Sequence, residues 1–305
     1  MRNVRTSVGL GLVLIFLANL LGGASYPLQK WGLELMPPGT LSFARNAVCL
    51  VCLLPVIAWR RKSLVRWTGS ELLRAFLIGS VGFALPLILG AIGLEYSTAT
   101  NGSVLILLEP VTLLLFAWIL LGEKISGLQM AGVGLGIAGG LLLVLEEGFG
   151  GLAEREHFFG NVMLAVSAVA WGFYTPMAKP LLERHDVFAV TAMVAWFSLP
   201  CLGPYAWTER ADWPVEFTPQ ILWMLLSLGG LVSFVGTLFW VGSLDHIPAS
   251  WVAPFLLVQP LAGTVGGMLF FDERPTRAGL VGAGLIVTGL LATLWVAKGA
   301  KARDH

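Results

Sequence analysis

Glu109 stands inside an apolar run at residues 98–121, where a carboxylic acid has no bulk water to pair with. Holding a charge at the centre of a bilayer costs at least about 2.5–3.5 kcal/mol on insertion scales, so an acid kept at that depth points to an ion path, a proton relay or an internal pair. Counted along a helix axis from the start of the run, Glu109 lies about 17 Å in, near the midplane. Ser97, Asn101, Glu109 and Thr112 fall on one side of that helix, a polar stripe that cannot face lipid. In a second run, residues 39–59, Arg45 shares a face with Ser42, Asn46 and Cys49. A guanidinium and a carboxyl presented to one cavity suit a zwitterion, with Asn46 and Asn101 as further polar contacts. Glu109 is then the candidate proton carrier for antiport. The competing account sends Arg45 to the headgroups and leaves Glu109 to pair with it or to cap a carbonyl freed by Pro110.

These side chains need helices that can bend around a ligand. Pro27 follows Gly22 and Gly23 and precedes Lys30; Pro176 follows Gly172 and precedes Lys179, so the same proline-lysine corner occurs twice, 149 residues apart. Proline removes a backbone donor and frees a carbonyl one turn back, which in hydrocarbon must find a partner or line a wet cavity. Paired interruptions of this kind mark transporter binding sites, and Gly22, Gly23, Pro27, Gly172 and Pro176 are the expected hinge. Pro86, Pro110, Pro254 and Pro260 are further candidate breaks. Tyr26 adjoins Pro27, and Trp171 and Tyr174 adjoin Pro176; rings with a polar tip would wall an amphipathic organic ligand, although ordinary packing also explains them. Other tryptophans, such as Trp59, Trp118, Trp207, Trp223 and Trp240, fall near run ends, as an interfacial belt does.

The elements that carry these residues come as a duplicated set. Residues 94–139 are matched by residues 244–289 at a constant offset of 150: Leu94-Glu95 on Leu244-Asp245, Pro110 on Pro260, Glu123-Lys124 on Glu273-Arg274, and Gly132 to Gly139 on Gly282 to Gly289. Glu109 falls on Gln259, so one half alone carries an acid there. Of 305 residues 56% are apolar and 12% charged, and mean hydropathy is +0.81, against about a quarter charged in soluble proteins. Runs long enough to span a bilayer lie at residues 8–29, 39–59, 72–94, 98–121 and 125–145, then 159–182, 187–207, 221–242, 247–271 and 279–296. The expected fold is an all-α integral membrane protein of ten transmembrane helices. Residues 1–146 form one five-helix repeat, 147–157 a charged connection and 158–305 the second repeat. Basic residues, among them Arg2, Arg5, Arg60, Arg61, Lys62, Lys124, Arg184 and Lys298, favour cytoplasmic N and C termini. Five helices per half then invert one repeat relative to the other. Helices five and ten, apolar and glycine-rich, are scaffold or a homodimer surface.

Several other functions are disfavoured. Gly134-x-Gly136-x-x-Gly139 spells a dinucleotide fingerprint but lacks the preceding strand, and its spacing serves helix packing instead. Cys49 and Cys52 sit in an apolar run and Cys201 stands apart, so neither a metal nor a redox site is expected. A net charge of +1 spread over short clusters carries no nucleic-acid signal. An enzyme would need a nucleophile with a base, or metal ligands, at membrane depth, whereas His157, His185, His246 and His305 lie in loops or at the end. No cofactor is expected; the implied partners are a small-molecule substrate, lipid and, if Glu109 titrates, protons.

The repeated Leu108-Glu109-Pro110 and Val258-Gln259-Pro260, the corners Gly122-Glu123-Lys124 and Asp272-Glu273-Arg274, and the glycine-rich closing helices together resemble the EamA-type branch of the drug/metabolite transporter superfamily. Arg45 and Trp171-Gly172 look like that family too, and the match covers essentially the whole chain. The resemblance implies a ten-helix inverted-repeat carrier in a bacterial inner membrane. Helices one to four and six to nine would surround the cavity, and the commonest role would be export of amino acids or other small metabolites. Rings near Tyr26 and Trp171 are similar to those of its aromatic amino acid exporters. Lipophilic drugs, or a sugar- or nucleotide-like metabolite, are the alternative substrates. The first-helix acid of the small four-helix multidrug members has no counterpart here.

Overall fold

A computed structural model describes residues 8–60, 66–97, 105–145, 157–213, 218–259, 261–262 and 277–301. Within these the chain is helical, with no strand. The first repeat supplies α1 (Val8–Leu35), α2 (Pro38–Arg60), α3 (Gly69–Leu77, Ile78–Ala84 and Leu85–Glu95 in one column), α4 (Leu108–Leu121) and α5 (Gly127–Leu145). The second supplies α6 (Phe158–Ala178), α7 (Val187–Thr208), α8 (Pro219–Leu225, Leu226–Gly236 and Thr237–Ser243), a short-turned α9 (Ala249–Trp251 and Ala253–Leu257) and α10 (Arg277–Lys301). The fold is an all-α membrane protein of two inverted five-helix repeats. Several helices start on side-chain caps that satisfy otherwise orphaned amides. Thr68 and Glu71 form a reciprocal capping box at α3, Asp186 accepts from Ala189 N at 2.9 Å at α7, and Thr218 caps α8. Gly122, at φ 65°, ends α4 in the left-handed region that favours glycine.

The repeats interleave: α1 packs on α8, α2 on α7 and α8, α3 on α6 and α7, α4 on α6, and α5 on α10. Small residues permit these crossings. A Cβ on Gly79 of α3 would lie 2.7 Å from Val194 O and 2.9 Å from Phe197 Cβ. Gly229 of α8 repeats the arrangement 150 residues later, against Arg45 O at 2.8 Å and Val48 Cβ at 2.6 Å. Gly23 meets the Gln259 backbone and Ala262, and Gly172 meets Thr112 and Leu113, again at equivalent places in the two halves. In hydrocarbon, where helix association gains little from the hydrophobic effect, such approach supplies the packing. Outward faces carry apolar side chains, among them Val51, Leu115, Trp118 and Trp223, and Trp59 is 85% exposed.

Two expectations are corrected. The helices do not break at Pro27 or Pro176: α1 is helical throughout Val8–Leu35, and α6 runs through Pro176 before tightening into a 3-10 turn at Lys179–Glu183. The departures from α geometry lie elsewhere, as wide π turns at Ile78–Ala84 and Leu226–Gly236, equivalent places in the two repeats. The wide turn of α3 ends two residues before Pro86, whose carbonyl accepts from Ser167 Oγ at 2.7 Å. Nor do Ser97 and Glu109 share a helical face, because Ser97 lies in a bend, bonded to Asn161, and the described part of α4 starts at Leu108. Trp240, near the end of α8, donates to Thr175 Oγ1 at 2.9 Å. Asn101, Pro260, Glu273 and Arg274, with the side chains of Tyr26 and Pro27, lie outside the described residues.

The α5–α10 seam rests on Gly289, whose Cβ position is filled by the Gly132 carbonyl, and on Gly139 against Gly282, whereas Gly284 faces open space. Gly289→Ala is expected to destabilise the protein by about 1–3 kcal/mol. Gly284→Ala should leave stability unchanged or raise it by up to about 1 kcal/mol, the gain in helix propensity. Thermal unfolding in detergent, followed by intrinsic tryptophan fluorescence, distinguishes the two.

Candidate functional site

Two narrow cavities lie where the repeats meet. One is lined by Ile106, Leu107, Glu109 and Pro110 of the first repeat and by Leu256, Leu257 and Gln259 of the second. Three of these pairs, Ile106 with Leu256, Leu107 with Leu257 and Glu109 with Gln259, are separated by 150 residues. The cavity therefore sits on the pseudo-twofold axis relating the repeats. Glu109 is its acid. Its backbone turns back, with Glu109 N donating to Ile106 O at 2.9 Å, and Thr112 Oγ1 lies 3.1 Å from the carbonyl oxygens of both Leu108 and Glu109. Among the described residues its carboxyl group has neither an ion pair nor a hydrogen bond. Gln259 Nε2 donates to Asn19 Oδ1 at 2.9 Å, and Gly22 lies beneath the Gln259 amide.

The second cavity is lined by Asn46, Cys49, Phe83, Thr191, Val194, Ala195, Ser233 and Thr237. Arg45 borders it through a network of neutral partners. Its Nε donates to Ser233 Oγ at 3.0 Å, one terminal nitrogen donates to Gln29 Oε1 at 3.1 Å, and Gln29 Nε2 in turn donates to Ser25 Oγ at 2.9 Å. No carboxylate among the described residues comes within 4.0 Å of the guanidinium. Asn46, 2% exposed, donates to Ala195 O at 3.1 Å and to Ser198 Oγ. On the opposite wall Phe83 meets Trp171 edge-on at 5.7 Å and Tyr174 at 6.3 Å between centroids. Tyr174 Oη and Thr191 Oγ1 are buried hydroxyls without a hydrogen-bond partner among the described residues.

Arg45 and Glu109 thus do not share one cavity, which corrects the sequence-based expectation: Glu109 faces the axis between α4 and α9, and Arg45 faces Ser233 across α2 and α8. Of the expected residues Asn46 lines the second cavity, Arg45 reaches it through Ser233, and Trp171 and Tyr174 stand behind Phe83, while Glu109 and Gln259 line the first.

The EamA-like transporter family matches this chain twice, over residues 9–145 and 158–295. The chain belongs to that family. EamA-like proteins are transporters, so this chain is a transporter and not an enzyme. Relatives include an uncharacterized transporter of Bacillus subtilis, 30% identical over 299 residues and covering 95% of this chain and 93% of its own. A protein of Streptantibioticus cattleyicolor named a probable terminal-alkyne amino-acid exporter is 29% identical over 273 residues, with 88% of each chain covered. A probable amino-acid metabolite efflux pump of Escherichia coli is 25% identical over 293 residues, covering 91% and 92%. A solved crystal structure superposes with a TM-score of 0.80 at 18% identity, over 94% of this chain and 97% of the other, the same fold.

Within this EamA scaffold the polar residues sit where the two copies differ. At the offsets of 149 and 150, Arg45 falls on Val194, Asn46 on Ala195, Ser233 on Phe83 and Gln29 on Ala178. One half of the duplicated site is polar and the other apolar. Sequence reading missed Gln29, Ser233, Thr191 and Phe83. For Ser233 and Phe83 a signal existed, since each stands in a glycine-bearing turn at the same place in its repeat.

Asn46→Ala removes two buried hydrogen bonds, each worth about 0.5–1.5 kcal/mol, although Ser198 Oγ still donates to Ala195 O at 2.9 Å, whereas among the described residues the Tyr174 hydroxyl has no bond to lose. Asn46→Ala is expected to lower stability by about 1–3 kcal/mol, and Tyr174→Phe to leave it unchanged or raised. Melting of the two variants in the same detergent checks the contrast.

Proposed function

We propose that this protein exports small amphipathic zwitterions, amino acids foremost, by alternating access between its two repeats, from a bacterial inner membrane in which both termini are cytoplasmic. The observation that carries the reading is the guanidinium of Arg45, oriented by Gln29 and Ser233 and lacking an acidic partner among the described residues. A cation kept inside a membrane protein and aimed by neutral groups is prepared for an anion that comes and goes. A substrate carboxylate supplies that anion. Phe83, backed by the rings of Trp171 and Tyr174, offers an apolar wall for the remainder of the molecule, and the Thr191 hydroxyl, without a partner among the described residues, can meet its polar atoms. Trp171 and Tyr174 become direct contacts in the proposed reading if the cavity widens past Phe83. The amino-acid exporter and efflux names of two relatives agree with this chemistry. Asn101 and Tyr26 remain proposed contacts by sequence position.

Glu109 is the proposed proton carrier. A carboxyl on the axis between the repeats, with no fixed cation beside it among the described residues, can be exposed to one face and then the other as the repeats rock. Gln259 keeps the shape of the pair without a second titrating group. The glycine crossings at Gly22, Gly23 and Gly172, together with Pro27 and Pro176, are the proposed pivots.

Counterflow of labelled aromatic and aliphatic amino acids into proteoliposomes tests the function. Uptake of at least one class is expected, faster under an imposed proton gradient; no uptake of any amino acid removes the zwitterion reading. Glu109→Gln should abolish the response to the gradient while leaving counterflow at equal pH. If the gradient response survives, Glu109 is not the carrier. Arg45→Gln should raise the half-saturating concentration at least about tenfold, as loss of a charge-assisted contact implies, and an unchanged value would place the carboxylate elsewhere.

A further inference from the structure

Glu123 leaves α4 just past the left-handed turn at Gly122 and reaches across to the second repeat. Its two carboxylate oxygens accept from the backbone amides of Ala249 and Ser250, each at 2.8 Å, and one of them lies 3.4 Å from Lys179 Nζ. Lys179, at the end of α6, also donates to Ile247 O at 2.8 Å. One carboxylate therefore joins three pieces of chain: the end of α4 from the first repeat, and the end of α6 and the start of α9 from the second. Ala249 and Ser250 are 0% and 1% exposed, so their amides have no access to water in this arrangement. Bonds from backbone N–H groups to an ionised carboxylate are among the stronger hydrogen bonds available, and losing the acceptor leaves two buried donors unpaired.

We infer that Glu123 is a latch that closes one face of the transporter, holding α4 against the start of α9, and that it must release for the cavity to open to that face. The inference rests on the alternating-access reading. A ligand or residue biases a two-state equilibrium only by interacting differently with the two states. The Glu123 bonds span both repeats, so movement of one repeat against the other breaks them, whereas a contact within one repeat would survive it. Lys179 is the positioning residue that fixes the carboxylate over the amides.

The test uses native Cys49, which lines the cavity beside Asn46 and is 3% exposed, in full-length protein carrying Cys52→Ala and Cys201→Ala. A membrane-impermeant maleimide is applied to intact cells and to inverted vesicles. A separate Lys124→Cys variant in a background lacking all three native cysteines reports which face bears the latch. In E123Q the rate of Cys49 modification is expected to rise about tenfold or more from that face alone, with a smaller rise in K179M, which leaves both amides their carboxylate. An unchanged rate in both variants, or an equal rise from both faces, overturns the latch. If E123Q does not insert, K179M and E123D carry the same reading, a one-face rise supporting the latch and no rise or a two-face rise overturning it. No substrate is needed, so an error in substrate class leaves the result intact.

Discussion

Backbone-to-backbone approach at Gly23, Gly79, Gly172 and Gly229 is the constraint on which the architecture rests. Each glycine sits where a helix of one repeat crosses a helix of the other, and a side chain at Gly79 or Gly229 would strike a main-chain carbonyl directly. In lipid the apolar side chains gain little by meeting one another, so tight fit between small surfaces must hold the bundle. The two halves are accordingly not two domains joined by a linker. Their helices alternate in space, and both cavities form only because the halves interpenetrate.

A single scaffold used twice then becomes a site through its inequalities. The crossing that puts Arg45 O beside Gly229 is the crossing that puts Val194 O beside Gly79, yet one copy carries a guanidinium and the other an isopropyl group. Glu109 and Gln259 divide in the same way over one cavity. Duplication supplies the geometry, and divergence at a few positions supplies the chemistry.

The repeat was legible because its spacing stays constant at 150 residues, and the bilayer class because long apolar runs leave no other option. Arg45 and Glu109 were legible as costly residues for their surroundings, but their separation was not. Periodicity places a residue on a face of its own helix and says nothing about which neighbour that face meets. Prolines misled for a different reason: each removes a single backbone donor, and the bonds on either side carry α6 through Pro176 where composition suggests an interruption. The wide turns of α3 and α8 left no residue-type signature beyond scattered glycines. Glu123 was visible as a repeated acidic corner, but its partners, two main-chain amides, have no sequence identity to read.

The interleaving also bears on biosynthesis. A ribosome delivers α1 to α5 before any of α6 to α10 exists, yet the surfaces of α1, α2, α4 and α5 are built for helices still to come. While the second half is made, the first must wait in the bilayer with the Glu123 carboxylate lacking Lys179 and the Arg45 side chain lacking Ser233. Of the described helices α10 emerges last, and it closes the seam with α5, whose synthesis finished more than a hundred residues earlier. Assembly of this protein is thus a post-insertion event, and a nascent chain halted midway presents unmatched charge and unfilled glycine grooves to whatever quality control patrols the membrane.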